Sequence, residues 1–318
     1  MRSFMTVCGR GLEIEGWPIH IAHLDGEKYR FLEDPEPVLA SLRNSPARAD
    51  LFTFLQRLPE TSPKYTYPME WDNFAALPIS TFDNWWNEQI CFKARNKARQ
   101  AARKQVTVRE VSLDDALVRG VWEIYNESSV RQGTRFGHFG KNVETVRKEL
   151  AAFPESSIFI GAFHQDRLIG FIKMVVDESR TQAGLMHIMS MISHRNKAPT
   201  NALVAEAVRA CANRGIPYLV YSSFTHRGGR KSSLTTFKQR NGFRQIDVPR
   251  YWVPLTRRGE VALRFGLHLR LVDHIPESVA ARLREARALW YDRRFAFSRG
   301  GFLASVAYRL LGSHRFRS

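Results

Sequence analysis

Residues 184–255 constrain this chain more than any other stretch, because apolar segments of strand length alternate there with segments of helical period. Residues 184–192 read Gly-Leu-Met-His-Ile-Met-Ser-Met-Ile, a short apolar run. In 201–214, Leu203, Val204, Ala207, Val208 and Cys211 recur at helical spacing, with Glu206, Arg209 and Arg214 elsewhere on the wheel. Gly215 stops that helix and Pro217 follows. Residues 218–224 form a β-branched and aromatic run, and 232–240 a second helix closed by Asn241 and Gly242. Within 244–255, Val248–Pro249 is expected to split a long strand into two, since proline gives no donor to a ladder. Strand, helix, strand, helix in this order implies parallel pairing through right-handed crossovers. A ligand then belongs at strand ends and helix N-termini.

The chain has 318 residues, enough for two modest domains, and its 44% hydrophobic content excludes a disordered polymer. Cys8, Cys91 and Cys211 are too few and too scattered for a disulfide framework or a zinc site, and no other metal set is evident. No secretion signal is visible, and no apolar run reaches the roughly 18 residues of a membrane span. A cytoplasmic protein is the expectation. The net charge of +17 favours an anionic partner, whether nucleic acid, nucleotide cofactor or anionic membrane, without choosing among them.

The rest of the chain is read in order. Residues 18–24 and 28–32 flank Asp25–Gly26, a hairpin turn pair. Asp34–Pro35 opens a helix reaching Leu42. Residues 51–55 and 74–79 read as strands, with Pro59, Pro63 and Pro68 marking loop between them. Ser80 to Asp83 caps a helix expected over 83–104. Its first half is aromatic (Trp85, Trp86, Phe92) and its second half basic (Lys93, Arg95, Lys97, Arg99, Arg103, Lys104). It reads either as a cationic face for a polyanion or as an ordinary amphipathic helix with cations near its C-terminus. A strand over 106–111, a helix over 114–126 and a polar, glycine-rich, aromatic loop over 127–141 follow, and loops of that kind run over sites. A helix over 142–153 leads to strands 157–163 and 167–176, joined at Gln165–Asp166. Beyond 255 come a helix near 259–267, another from Pro276 to about Arg293, and an apolar tail over 295–311 with cationic flanks. That tail reads as a packing helix or as a peripheral anchor on an anionic membrane at the inner face.

From Val106 the order of elements resembles the GNAT acyltransferase fold over roughly 150 residues. Residues 237–243, Phe-Lys-Gln-Arg-Asn-Gly-Phe, are similar to that family's ending of its last helix. Residues 93–108 resemble the basic helix-to-strand segment of Fem-type aminoacyltransferases, which build cell-wall peptide bridges from aminoacyl-tRNA with two tandem GNAT-like halves. Phe237–Lys238 matches their pattern as well. The chain is also similar to GNAT-like proteins of bacterial polysaccharide gene clusters, through Ile124–Asn126, Arg131–Gly133, His138–Lys141, Asn201–Leu203 and Pro249–Tyr251. These resemblances imply an α/β (α+β) chain with a GNAT-like mixed central sheet and helices on both faces. The implied parts are an N-terminal α+β region over 1–104, readable as a degenerate GNAT-like half, an acyltransferase domain over 105–256 and a C-terminal helical extension over 257–318.

In that fold two strands splay apart and admit the pantetheine of coenzyme A. The resemblance assigns Met189, Ser190, Ile192, Arg195, Lys197, Asn201 and Ser223 to the cofactor. Where the family has a glycine-rich diphosphate loop, this chain has Arg195-Asn-Lys-Ala-Pro-Thr200, in which Pro199 removes a donor. Lys238 stands where many GNAT enzymes place an acidic tyrosine, so an oxyanion, proton or phosphate role is implied for it. His194 and Glu127 are the candidate bases, with His187 the alternative of a satisfied core histidine. Arg131, Gln132, Arg135 and His138 are read as contacts to the acceptor. The leading expectation is N-acyl transfer from acetyl-CoA or another acyl-CoA to an amino sugar or another amino-bearing glycan or cell-envelope precursor. Its variant uses aminoacyl-tRNA, which the positive charge suits. A non-catalytic partner in polysaccharide export is the reading from another class. The loop 226–231 is cationic but lacks the spacing of a Walker-type phosphate loop.

Overall fold

The computed structural model describes residues 3–45, 49–131, 134–225 and 233–268. Thirteen strands and eight α-helices occur among them. The strands are β1 (Ser3–Val7), β2 (Arg10–Glu15), β3 (Ile21–Leu24), β4 (Leu51–Leu55), β5 (Met69–Pro78), β6 (Thr107–Val111), β7 (Val130–Arg131), β8 (Thr134–Arg135), β9 (Ser157–His164), β10 (Arg167–Val176), β11 (Gln182–Ser190), β12 (Tyr218–Val220) and β13 (Arg244–Pro254). The helices are α1 (Glu36–Arg43), α2 (Phe82–Asn84), α3 (Phe92–Arg103), α4 (Asp115–Asn126), α5 (Val143–Leu150), α6 (Pro199–Asn213), α7 (Ser233–Arg240) and α8 (Arg257–Arg264).

All strands but β7 and β8 join one sheet in the order β1-β2-β3-β4-β13-β5-β12-β11-β10-β9-β6. Only β3–β4 and β11–β12 are parallel; every other neighbouring pair is antiparallel. The crossover expected from residues 184–220 is therefore present, with α6 linking β11 to β12. The next step departs from it. β13 does not pair with β12, because β5 lies between them and is antiparallel to both. The sheet runs unbroken past residue 104, so the boundary expected there separates no hydrogen-bonded unit. Of the 257–318 extension, α8 is described; the helix from Pro276 and the tail lie outside the described residues.

Local chemistry explains the elements that match and those that differ. Thr81, Asp114, Asn142 and Thr256 each accept from the backbone N–H three residues on, so α2, α4, α5 and α8 start where their caps sit. The helix expected over 83–104 is instead three pieces: α2, a π-helical turn over Trp85–Gln89, and α3. Ile90 and Cys91 between them are extended, because the Cys91 N–H donates to the Arg240 carbonyl at the end of α7 (2.9 Å). The Trp85 indole donates to the next carbonyl, Asn241 (2.9 Å), from a fully buried position. Tertiary bonds thus outbid helix continuation.

β13 is one strand, not two. The Pro249 carbonyl faces the β4 edge, where it accepts from Gln56 N–H (3.0 Å), just past the last residue of β4. The missing proline N–H faces the same edge, at the ladder's end, so the pairing with β5 runs through Pro249↔Trp71 intact. The hairpin expected around Asp25–Gly26 is absent: 28–32 is not a strand, and the N-terminal hairpins are β1–β2 and β2–β3. The strand expected over 218–224 ends at Val220. Two large apolar clusters hold the layers. One gathers α3, α4, α5 and α6 against β9 to β12; the other gathers β1 to β4 and α1 with Tyr251 and Val253 of β13.

Candidate active site

β11 and β12 diverge. They pair at Gln182↔Tyr218, Ala183↔Leu219 and Gly184↔Val220, and no further. On the β11 side, Met186 faces no partner on β10, since Lys173 pairs with His187 and Met174 with Leu185. A bulge bends and twists a strand locally, and this one sits where the divergence begins. On the β12 side the chain stays with β5: Tyr221 N–H donates to the Ala75 carbonyl (2.7 Å), and Ala75 N–H to the Ser222 carbonyl (2.8 Å). Ser222 is left-handed, φ 52°, and Asn73 Oδ1 then accepts from the N–H groups of Phe224 (2.8 Å) and Thr225 (3.0 Å). The edge of β11 over 185–190 is thereby left open, and 186–190 are partly exposed. This is the slot that the GNAT resemblance implied.

Lys238 stands on the β12 lip. Its side chain is buried, its ammonium donates to the Ser223 carbonyl (2.7 Å) and it lies 4.6 Å from the Tyr221 ring centroid. Burial, then the neighbouring Lys28 charge, push its pKa down to about 8. Lys28, which no sequence pattern marks, donates to Ser222 Oγ (3.3 Å). Ser223, expected at the cofactor, is thus the residue that fixes Lys238.

On the β11 lip, His187 and His138 face one another, with ring centroids 5.7 Å apart, and Tyr125 lies against both. Tyr125 Oη is 3.4 Å from His187 Nδ1. Burial first, then the cationic neighbours, lower both histidines, His187 to about 4. Burial favours the neutral form of both, and His187 is the half-buried imidazole, neither the solvated base nor a fully sealed core residue. Asn126 pins the loop over them, accepting from Gly140 N–H (2.9 Å) and donating to the Lys141 carbonyl (3.3 Å).

Several expected residues are turned to internal work. Glu127 accepts from Ile192 N–H (2.6 Å), Ser193 N–H (2.9 Å) and Ser193 Oγ (2.6 Å). Burial raises its pKa, but these bonds and Arg131 outweigh that, and the carboxyl is held below its usual range. Arg131 donates to the carbonyls of Ser190 (2.9 Å) and Ile124 (2.6 Å) and stacks on Phe136, so it braces β11 against α4. Arg135 is exposed, and Gln132 lies outside the described residues, as does the loop 226–231. His194 is half-buried, 3.1 Å from Ser193 Oγ, and lowered first by burial and then by Lys197. Ser190 Oγ meets Thr200 Oγ1 (3.0 Å); Met189 pairs with Phe171.

The loop before α6 closes on itself. With Ile192 and Ser193 held by Glu127, the N–H of His194 donates to the Met191 carbonyl, Arg195 to Ile192, Lys197 to His194, Ala198 to Arg195 and Asn201 to Ala198. Ala198 is left-handed, φ 56°, and Pro199 has no N–H. The side chains of Arg195 and Lys197 remain outward, and Gln100 of α3 and Lys104 just past its end donate to the Asn196 carbonyl (3.0 and 3.1 Å). The basic helix therefore rests on the rim of the slot, a placement that its sequence alone did not reveal.

Arg250 and Tyr251, quoted above within a sequence resemblance, are structural. Arg250 donates both terminal nitrogens to Glu27 (2.9 and 3.0 Å) and its Nε to Asp72 (3.1 Å). Burial alone would raise the Glu27 pKa, but the guanidinium overrides it.

No protein-family model matches the chain, and no curated protein does. Solved structures do. The C-terminal domain of a protein described as a lysylphosphatidylglycerol synthetase from Agrobacterium fabrum aligns with 83% of this chain and 87% of its own, at TM-score 0.53 and 12% identity. FemX aligns over 78% and 87%, at TM-score 0.54 and 9% identity. L-PGS from Bacillus licheniformis aligns over 80% and 85%, at TM-score 0.52 and 12% identity. At such identities the likeness is one of architecture. The chain has a GNAT-like fold of the Fem-like kind.

Proposed function

We propose that this protein transfers an aminoacyl group from its ester on tRNA to an amine of a cell-envelope or glycan precursor. The observation that carries this reading is the state of the slot's rim: its side chains are cationic, yet most of the loop's N–H groups, those of Ile192 to Arg195, Lys197, Ala198 and Asn201, are already bonded. An acyl-CoA donor needs loop N–H groups for its diphosphate, and here Glu127 and the loop's own carbonyls hold them. These residues do not fit that group. A nucleic-acid donor needs side-chain cations spread over a wider surface. Arg195, Lys197 and the exposed Lys93, Lys97, Arg99, Arg103 and Lys104 supply them, and none has a carboxylate partner among the described residues. In this reading the Lys238 ammonium faces the carbonyl oxygen and stabilises the charge that develops there. His187 and His138 lie on the side of the incoming amine; as the C–N bond forms and the ester C–O bond breaks, one of them takes the amine's proton and passes it to the departing ribose hydroxyl of the tRNA.

One observation favours a non-catalytic binding protein instead: Glu127 and Arg131, both chemically capable, are spent on internal bonds. Thermal shift with deacylated tRNA, coenzyme A and acetyl-CoA separates the readings, followed by transfer from a mixed aminoacyl-tRNA pool. The proposal expects a shift with tRNA, none with either coenzyme, and transfer. A shift with acetyl-CoA overturns the donor assignment, and binding without transfer overturns catalysis.

A further inference from the structure

The chain's outer edge carries an apolar surface that the slot does not use. α8 packs its Gly259 and Ala262 side inward, so tightly that a Cβ on Gly259 would lie 2.0 Å from the Asp50 carbonyl oxygen. Its outward side carries Val261, 52% exposed, and Phe265, 67% exposed, one turn apart, with Leu267 following. On a helical wheel Arg257 and Arg264 flank this pair on one side and Arg258 on the other, while Glu260 is the only acid in the helix. Arg258 donates to the Pro18 carbonyl (2.6 Å), which places the neighbouring Trp17, 86% exposed, beside the same face.

Three occupants suit an apolar face, and charge separates them. A second copy of this chain brings +17, and residues 269–318 of the same chain carry ten arginines against four acids, so both meet α8 with like charge. An anionic bilayer is complementary. Exposed Trp and Phe at the level of lipid headgroups, bracketed by arginines, are the composition of an interfacial helix. No helix among the described residues is long and apolar enough to cross a membrane. Direction agrees. β12 and β13 are both antiparallel to β5, and β11 is parallel to β12, so the open end of the slot and the β13 end that leads into α8 point toward the same edge of the sheet.

We infer that Trp17 and the outer face of α8 form a docking surface for an anionic lipid bilayer. This goes beyond the transfer chemistry and does not depend on it. The test is co-sedimentation of the full chain with vesicles of phosphatidylcholine alone and of phosphatidylcholine mixed with phosphatidylglycerol. The chain is expected on the anionic vesicles only. Trp17→Ser with Phe265→Ser is expected to weaken partitioning by about tenfold or more, from lost apolar burial. Arg257→Glu with Arg264→Glu is expected to weaken it about fivefold or more for each charge. Because these side chains are exposed, the melting midpoint and transfer to a water-soluble acceptor stay unchanged. Equal partitioning of wild type and variants overturns the inference and places any lipid contact elsewhere in the chain. Absence of wild-type binding overturns it too. A change in oligomeric state or melting midpoint with either double variant overturns it in favour of a protein contact on this face.

Discussion

Two buried amines divide function from structure. Lys173 is fully buried and donates to the carbonyls of Glu149 (3.2 Å), Leu150 (2.9 Å) and Ala152 (2.5 Å), closing the end of α5. Lys173→Met leaves those carbonyls without a donor and is expected to lower stability by about 2–4 kcal/mol in denaturant titration. Lys238 has one such bond, to the Ser223 carbonyl on the β12 lip of the slot. Lys238→Met is expected to leave the melting midpoint at pH 7 unchanged or raised, while transfer falls by about 100-fold or more, the usual effect of a lost oxyanion donor. The pH dependence has a definite sign. The folded amine releases its proton near 8, whereas an unfolded lysine keeps it to about 10.4. The unfolded state therefore binds more protons in that window, and wild-type stability rises from pH 8 toward 10 as transfer declines. The slope in this window is smaller in Lys238→Met. Glu127 acts oppositely. Its carboxyl is held low, so its contribution is present above the ordinary carboxylate range and is lost as pH falls through the folded value. Glu127→Ala strands two N–H groups and is expected to cost about 1–3 kcal/mol near neutral pH.

The helix α3 is where charge becomes a measurable surface. Its inner side is Ala94, Ala98 and Ala101, all buried; Ala94 and Ala101 belong to the same core cluster as α6, and the cations are left outward. Lys97→Glu with Lys104→Glu is expected to weaken tRNA binding and to lower the salt slope by about one per contact removed, read by filter binding over a salt series. The same element marks what a sequence discloses. Periodicity exposed α4, α6 and the parallel pair β11 and β12, since their local pattern and their packing agree. It missed the break at Ile90–Cys91, because the competing bonds come from Arg240 and Asn241, about 150 residues away in the chain. It split β13 at Pro249, because only the neighbouring strand's length shows that the lost donor faces a ladder end. Lys238 and His138 were legible as candidates, whereas in the sequence His187 reads more readily as a core histidine and His194 as the preferred base. Whether Arg131 and Glu127 face a ligand or their own backbone was not, since a charged loop residue has the same spelling either way.

The two halves of the molecule share one sheet through β5 and β13, which fixes its cooperativity. A fragment covering residues 105–256 keeps β13 but loses β4 and β5, its partners on both sides. Such a fragment is expected to show no cooperative thermal transition, whereas residues 3–268 within the whole chain unfold in one step by circular dichroism and fluorescence alike. The slot depends on the same arrangement, because β5 is the strand that draws the chain after Val220 away from β11. This has a consequence at the ribosome. β5 leaves the exit tunnel early, with Phe74, Ala75, Ala76 and Leu77 destined for full burial, yet both strands that will flank it are still untranslated. At ordinary elongation rates it waits on the order of ten seconds for β12. For that interval a nascent chain displays a greasy, two-edged ribbon, and holding it apart from its neighbours on a polysome is a task for chaperones rather than for the finished fold.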